Sequence, residues 1–244
     1  MFRYKFTIEY DGAAANAGWQ VQPGKISIQS LLSDAAFELS KSKILFYGSG
    51  RTDRGVHALG QVAHADFFKS YPLFSLKQGM NFYLTGKKVA IKEVELVSQD
   101  FHARFSAKIK TYRYDICMQD YPNVINLKNW RISRNLDIKK MEEESKFLLG
   151  VHDFASFRSS HCQAATSIRS IDEINFIIRG NILSVYFVGK SFLHNQIRAM
   201  IGTLVDIGMG RQINIKSIMQ SKDRKKAGQT APPGGLFLEK IDFD

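Results

Sequence analysis

The sequence predicts an α/β fold of the α+β type, with two related halves sharing a sheet and a cleft between them. Three observations predict it. Strand-like alternation and helix-like periodicity interleave along the chain, the same order of elements recurs after a break near residues 100–110, and 244 residues suffice for a substantial core. The halves are placed at 1–104 and 105–244.

At the N-terminus Phe2, Tyr4, Phe6, Ile8 and Tyr10 alternate with Arg3, Lys5, Thr7 and Glu9, the pattern of a half-buried strand rather than a signal peptide. Asp11-Gly12 ends it, and the loop "AAANAGWQVQPGK" follows. Ile28, Leu31, Leu32, Ala35 and Leu39 then recur at helical spacing behind Ser27, a cap. "KILFY" reads as a short strand, "GSGRTDRGVHALGQ" as a loop and "QVAHADFF" as the next strand. A helix over 75–84 and a strand over 88–97 complete the first half.

The second half opens with "KTYRYDICM", which puts Tyr112, Tyr114, Ile116 and Met118 on one face. A helix runs from Asp137 to Gly150. Apolar runs at 174–178 and 182–188 flank "RGN" as a hairpin. The stretch 192–207 is a helix with the stripe Leu193, Ile197, Met200, Ile201 and Leu204.

A formal net charge of +11 favours a polyanionic partner, because lysine and arginine displace the counterions condensed on phosphates. Cys117 and Cys162 are the only cysteines and no Cys/His cluster has zinc-like spacing, so a reducing compartment and no metal are expected. With no apolar run of membrane-spanning length, the expected location is cytoplasmic.

The loop at 48–61 carries the chemistry. Asp53 stands where a dinucleotide fingerprint needs its third glycine, and no Gly-Lys-Ser/Thr follows, so both nucleotide-cofactor readings fail. An aspartate in a glycine-rich turn is ordinarily a turn former. Here Arg51 and Arg54 flank it, and guanidinium groups both favour an ionised carboxylate and grip phosphate bidentately.

Arg198 lies at the edge of its helix's apolar arc, either a snorkelling surface cation or a half-buried one needing an anion such as Asp53. Tyr112 is either a core aromatic or a stacking platform for an extruded base. Histidines 57, 64, 102, 152, 161 and 194 are scattered without i, i+4 pairing and are read as structural or RNA-facing. "KDRKK" at 222–226 is a solvated basic run or a set of phosphate contacts.

"GSGRTDRGVHALGQVAHADF" resembles the catalytic motif of the bacterial tRNA pseudouridine synthase A family. "EYDG…GWQVQ", "DFHARFSAKIKTYRYDI", "GVHDFASF", "FLHNQIRAMIGTL" and "AGQTAPPGGLFLEKIDF" resemble further family segments in the same order. The resemblance implies RRM- or ferredoxin-like halves with a largely antiparallel central sheet flanked by helices. It implies an isomerase converting uridine to pseudouridine at positions 38, 39 and 40 of the tRNA anticodon arm, without cofactor, as a homodimer.

By the same resemblance Asp53 matches the catalytic aspartate, Arg51 the arginine linked to base flipping, Tyr112 the tyrosine packed on the target base, and Arg198 the arginine paired with the aspartate. Arg54, where the family commonly has alanine, and His57 are expected near the substrate. The loop "AAANA" has five residues where the family usually has four including an aromatic. The residues alone leave two rivals open: a non-catalytic RNA-binding protein and a uracil-releasing glycosylase.

Overall fold

The computed structural model describes residues 1–122, 129–160 and 162–243. The elements run β1 (Phe2–Tyr10), α1 (Ile28–Ser40), β2 (Tyr47–Gly48), β3 (His57–Phe67), α2 (Leu73–Leu84), β4 (Val89–Val97), β5 (Ile109–Met118), β6 (Trp130–Ile132), α3 (Ile138–Ser145), β7 (Gly150–Asp153), β8 (Ile168–Ile171), β9 (Glu173–Arg179), β10 (Ile182–Gly189), α4 (Gln196–Gly208), α5 (Ile215–Ser221) and β11 (Leu236–Asp242). Two compact units form, Met1–Lys108 with Phe237–Asp244, and Ile109–Leu236. Residues from Phe237 on, inside the half expected at 105–244, belong to the first unit.

In the first unit β1 lies between β3 and β4, antiparallel to both, and β11 runs parallel to β3. Tyr4, Phe6, Ile8 and Tyr10 are buried as their alternation predicts, while Phe2 at the strand end is exposed. The opposite face carries ion pairs instead, Arg3 with Asp66 at 2.7 Å and Lys5 with Glu95 at 2.9 Å. Ser27 caps α1, accepting from the Ser30 N–H at 2.9 Å while Ser30 Oγ accepts from the Ser27 N–H at 3.0 Å. Gly79 admits α1 closely, since a Cβ there would meet Leu39 Cδ1 at 2.6 Å.

"KILFY" departs from its expected form. Ile44 and Phe46 are buried, but the backbone pairs only at Tyr47 with His64 and Gly48 with Ala63. Apolar alternation there records burial on one side without a neighbouring ladder for Lys43 to Phe46.

His64 of β3 is buried, stacks with Tyr47 at 5.1 Å, and accepts from the Ala103 N–H through Nδ1 at 3.2 Å. Burial lowers its pKa to about 4; His102 and Arg3 push it the same way and Asp66 opposes them. The unfolded chain takes up this proton as pH falls through about 6.5, whereas the folded chain resists until near 4. Between those values the unfolded state holds more protons, so stability is full above the window and is lost as pH falls. Denaturant titrations at pH 7.5 and 5 should show His64 costing on the order of 2 kcal/mol. His64→Gln should remove that share, and an unchanged slope would place the effect elsewhere.

In the second unit β10 pairs antiparallel with β5 and β9, and β6 runs parallel to β5. The hairpin at "RGN" forms with Ile182 opposite Arg179, leaving Gly180, at φ 58°, and Asn181 as the turn. β5 departs from its predicted two faces: Asp115, Ile116 and Cys117 are buried in succession. α4 begins at Gln196, not residue 192, because Asn195 takes a left-handed conformation (φ 62°) and sets the entry. Leu193 is buried in the lead-in, and the helix is buried nearly all round, more than a single stripe predicts. Helices thus flank a largely antiparallel sheet in each unit. Among the described residues no helix is long and apolar enough to cross a membrane.

Candidate active-site residues

Arg51, Asp53 and Arg54 sit on the connection from β2 to β3, in the first unit. What holds that connection comes from the segment after β1. Trp19 donates its N–H to Thr52 O at 3.1 Å, and Gly55 donates to Gly12 O at 3.2 Å. Two glycines make this approach possible. A Cβ on Gly12 would lie 2.3 Å from Gly55 C, and one on Gly18, at φ 71°, would lie 2.5 Å from Thr52 O.

Beneath the loop Tyr10, Thr52 and Gln61 form a buried polar chain. Gln61 Nε2 donates to Gly50 O at 2.9 Å and to Tyr10 Oη at 3.3 Å, and Tyr10 Oη lies 2.7 Å from Thr52 Oγ1. Burial pushes the Tyr10 pKa up to about 12, so its hydroxyl keeps the proton this chain needs. Within the loop Val56 donates to Asp53 O at 3.1 Å. Asp53 is half-buried between exposed Arg51 and Arg54, its backbone fixed on both sides.

His57 is placed differently from the expected substrate contact. It is buried at the start of β3, accepts from the Gly12 N–H through Nδ1 at 3.0 Å, and stacks with Phe237 at 4.8 Å. The same Nδ1 lies 3.4 Å from Asp11 Oδ1. His57 supports the segment that clamps the loop. His161 lies outside the described residues.

In the second unit Arg198 occupies the first turn of α4, partly buried. Its Nε donates to Ala231 O at 2.7 Å and its Nη1 to Asn195 Oδ1 at 2.7 Å, while Ala231 N–H donates to Arg198 O at 3.0 Å. These bonds fix the guanidinium plane, which a surface snorkelling residue lacks. Tyr112 on β5 is buried to 8% exposure and meets Phe192 edge-on at 5.3 Å.

The segment 228–231 that orients Arg198 is itself laid against α4. Gly228 donates to Thr203 Oγ1 at 2.8 Å, and a Cβ on Gly202 would fall 1.7 Å from Gln229 O. Tyr114 Oη reaches Pro232 O at 2.8 Å and Arg224 reaches Gly228 O and Thr230 Oγ1, each at 2.8 Å. Gly202→Ala is therefore expected to lift the segment, costing about 1–3 kcal/mol of stability and most of the activity. A thermal melt and an initial rate check this; wild-type values for both would show that the close approach is dispensable.

Sequence reasoning missed Tyr10, Gly12, Gly18, Gln61, Asn195, Gly202 and Ala231. Their only signal was membership in the segments "EYDG…GW", "GSGRTDRGVHALGQ", "FLHNQIRAMIGTL" and "AGQTAPPGG". Among the described residues no group of histidine, cysteine, aspartate and glutamate is arranged to hold a metal ion.

A family model for tRNA pseudouridine synthase matches residues 145–244. Proteins named tRNA pseudouridine synthase A align along nearly the whole chain. The one from Wolbachia pipientis wMel is 43% identical over 99% of this chain and 100% of its own length. Those from Ehrlichia canis (strain Jake) and Bartonella quintana (strain Toulouse) are each 40% identical, over 99% and 100% of this chain and all of their own lengths. A chain of a Cbf5-Nop10-Gar1 complex overlays with a TM-score of 0.36 at 12% identity, over 94% of this chain and 56% of that one. With identity at this level over the full length, the chain belongs to the tRNA pseudouridine synthase A family.

Proposed function

We propose that this protein converts uridine to pseudouridine at positions 38, 39 and 40 of the tRNA anticodon arm, with Asp53 as the nucleophile. Family membership makes the chain an isomerase acting on tRNA. The observation that carries the finer reading is Asp53 itself, a half-buried carboxylate on a backbone-clamped loop between two exposed guanidinium groups.

In this reading Arg51 and Arg54 take hold of the nucleotide while its base leaves the stack, at a cost of a few kcal/mol. By the family resemblance, Tyr112 is the residue proposed to pack against the base and Arg198 the arginine the reaction is proposed to need. The N1–C1′ bond breaks, the base turns while held, and a C5–C1′ bond forms. The C5 proton passes to solvent and N1 gains one, so atoms balance without a cofactor. A glycosidase needs a second carboxylate because its leaving group departs. Here the base stays, and one suffices. His57 serves by supporting the loop rather than by touching substrate.

We further propose a homodimer, on the family resemblance, and a cytoplasmic location, on the tRNA substrate. Light scattering after size exclusion tests the first. tRNA carrying tritium at uridine C5 tests the activity: label should pass to water while nucleotide content is retained. Release of free uracil would favour a glycosylase, and binding without release would favour a non-catalytic RNA-binding protein.

A further inference from the structure

The second unit has a groove of about 450 Å³ lined by Arg211, Gln212, Asn214, Ser217, Lys225 and Lys226 along with Ile213 and Ile218. It lies just beyond the C-terminal end of α4, between the turn at 211–214 and the short basic turn at 224–226. The stretch 211–226 holds six cations and one carboxylate, Asp223.

Not all of that charge is available. Lys222 pairs with Asp153 at 2.9 Å, Arg224 turns inward to Gly228 and Thr230, and Arg211 meets Asp206 at 2.9 Å. Lys225 and Lys226 are exposed at the groove and form no ion pair among the described residues. The Asp223 side chain accepts from the Lys225 backbone N–H at 2.9 Å, which fixes the turn and leaves the ammonium groups to the groove. Two mobile point charges beside side-chain amides and a hydroxyl suit phosphate oxygens, and no acidic side chain lines the groove.

Distance separates this groove from the reacting base. Arg198 is on the first turn of α4 and Arg211 follows its last, so a rise of 1.5 Å per residue places them about 15–20 Å apart. That is about five base-pair steps of a duplex at 3.4 Å each. We propose that the groove binds phosphates of the tRNA backbone remote from the reacting nucleotide, with Lys225 and Lys226 as the contacts. The inference rests on the tRNA reading and adds a binding site to it.

Lys225→Ala/Lys226→Ala tests it in the tritium-release assay and by direct tRNA binding at several salt concentrations. Expected are a KM raised about tenfold, a kcat within about twofold of wild type, and a salt slope shallower by about two units, one per lost phosphate contact. Lys43→Ala/Lys69→Ala removes the same charge from exposed positions in the first unit. An unchanged KM and slope, or an equal loss in that control, would overturn the proposal. Tritium release by the unsubstituted protein tests the tRNA reading separately, so the two fail in different measurements.

Discussion

Asp53→Asn is expected to abolish isomerisation, by at least about 10³-fold in kcat, while tRNA affinity stays within about threefold of wild type. The carboxamide keeps the size of the side chain and removes the anionic oxygen proposed as the nucleophile. The contacts that clamp the loop are retained: the Trp19 and Gly55 backbone bonds, the Thr52 hydroxyl on Tyr10, and Val56 N–H on the carbonyl of residue 53. Binding collapse or a lowered melting temperature in this variant would make Asp53 a turn former. Single-turnover rates with saturating enzyme keep the comparison on the chemical step.

Arg198→Ala is expected to cost about 10²–10³-fold in rate, comparable to removing one preorganised electrostatic group. Arg198→Lys should recover little of it. An ammonium on a flexible stem keeps the charge but cannot reproduce the fork in which Nε binds Ala231 O and Nη1 binds Asn195 Oδ1. Stability should fall modestly in both variants, because the Ala231 N–H to Arg198 O bond belongs to the backbone and survives. Full activity in Arg198→Lys would reduce the residue's role to charge alone, and full activity in Arg198→Ala would return it to the surface.

Much of the architecture was legible because it is locally written. The alternation of β1, the Ser27 cap of α1 and the Gly180 turn each depend on residues a few positions apart. The loop carrying Asp53 was legible as a glycine-rich connection between two strands. What the motif left out is the way the loop is held, since Gly12 and Gly18 matter through Gly55 and Thr52, 43 and 34 residues away. Periodicity carries no trace of such contacts.

The same limit explains the errors. β11 joins β3 in parallel across nearly the whole chain, so its membership in the first unit has no local signature. From the sequence His57 reads as structural or RNA-facing; the Gly12 N–H and the Phe237 ring, both distant in sequence, favour the structural reading. Arg198 could be placed on a helix edge by spacing, but its anchor at Ala231 lies 33 residues on, in a segment without regular secondary structure.

The most direct measurement is to incubate the purified protein with unmodified tRNA bearing uridines at 38, 39 and 40, then map pseudouridine at single-nucleotide resolution beside the Asp53→Asn variant. The account predicts pseudouridine at those positions with the wild-type protein, none with the variant, and no abasic sites or free uracil with either. Pseudouridine confined to other positions, or formed equally well without the Asp53 carboxylate, would contradict it.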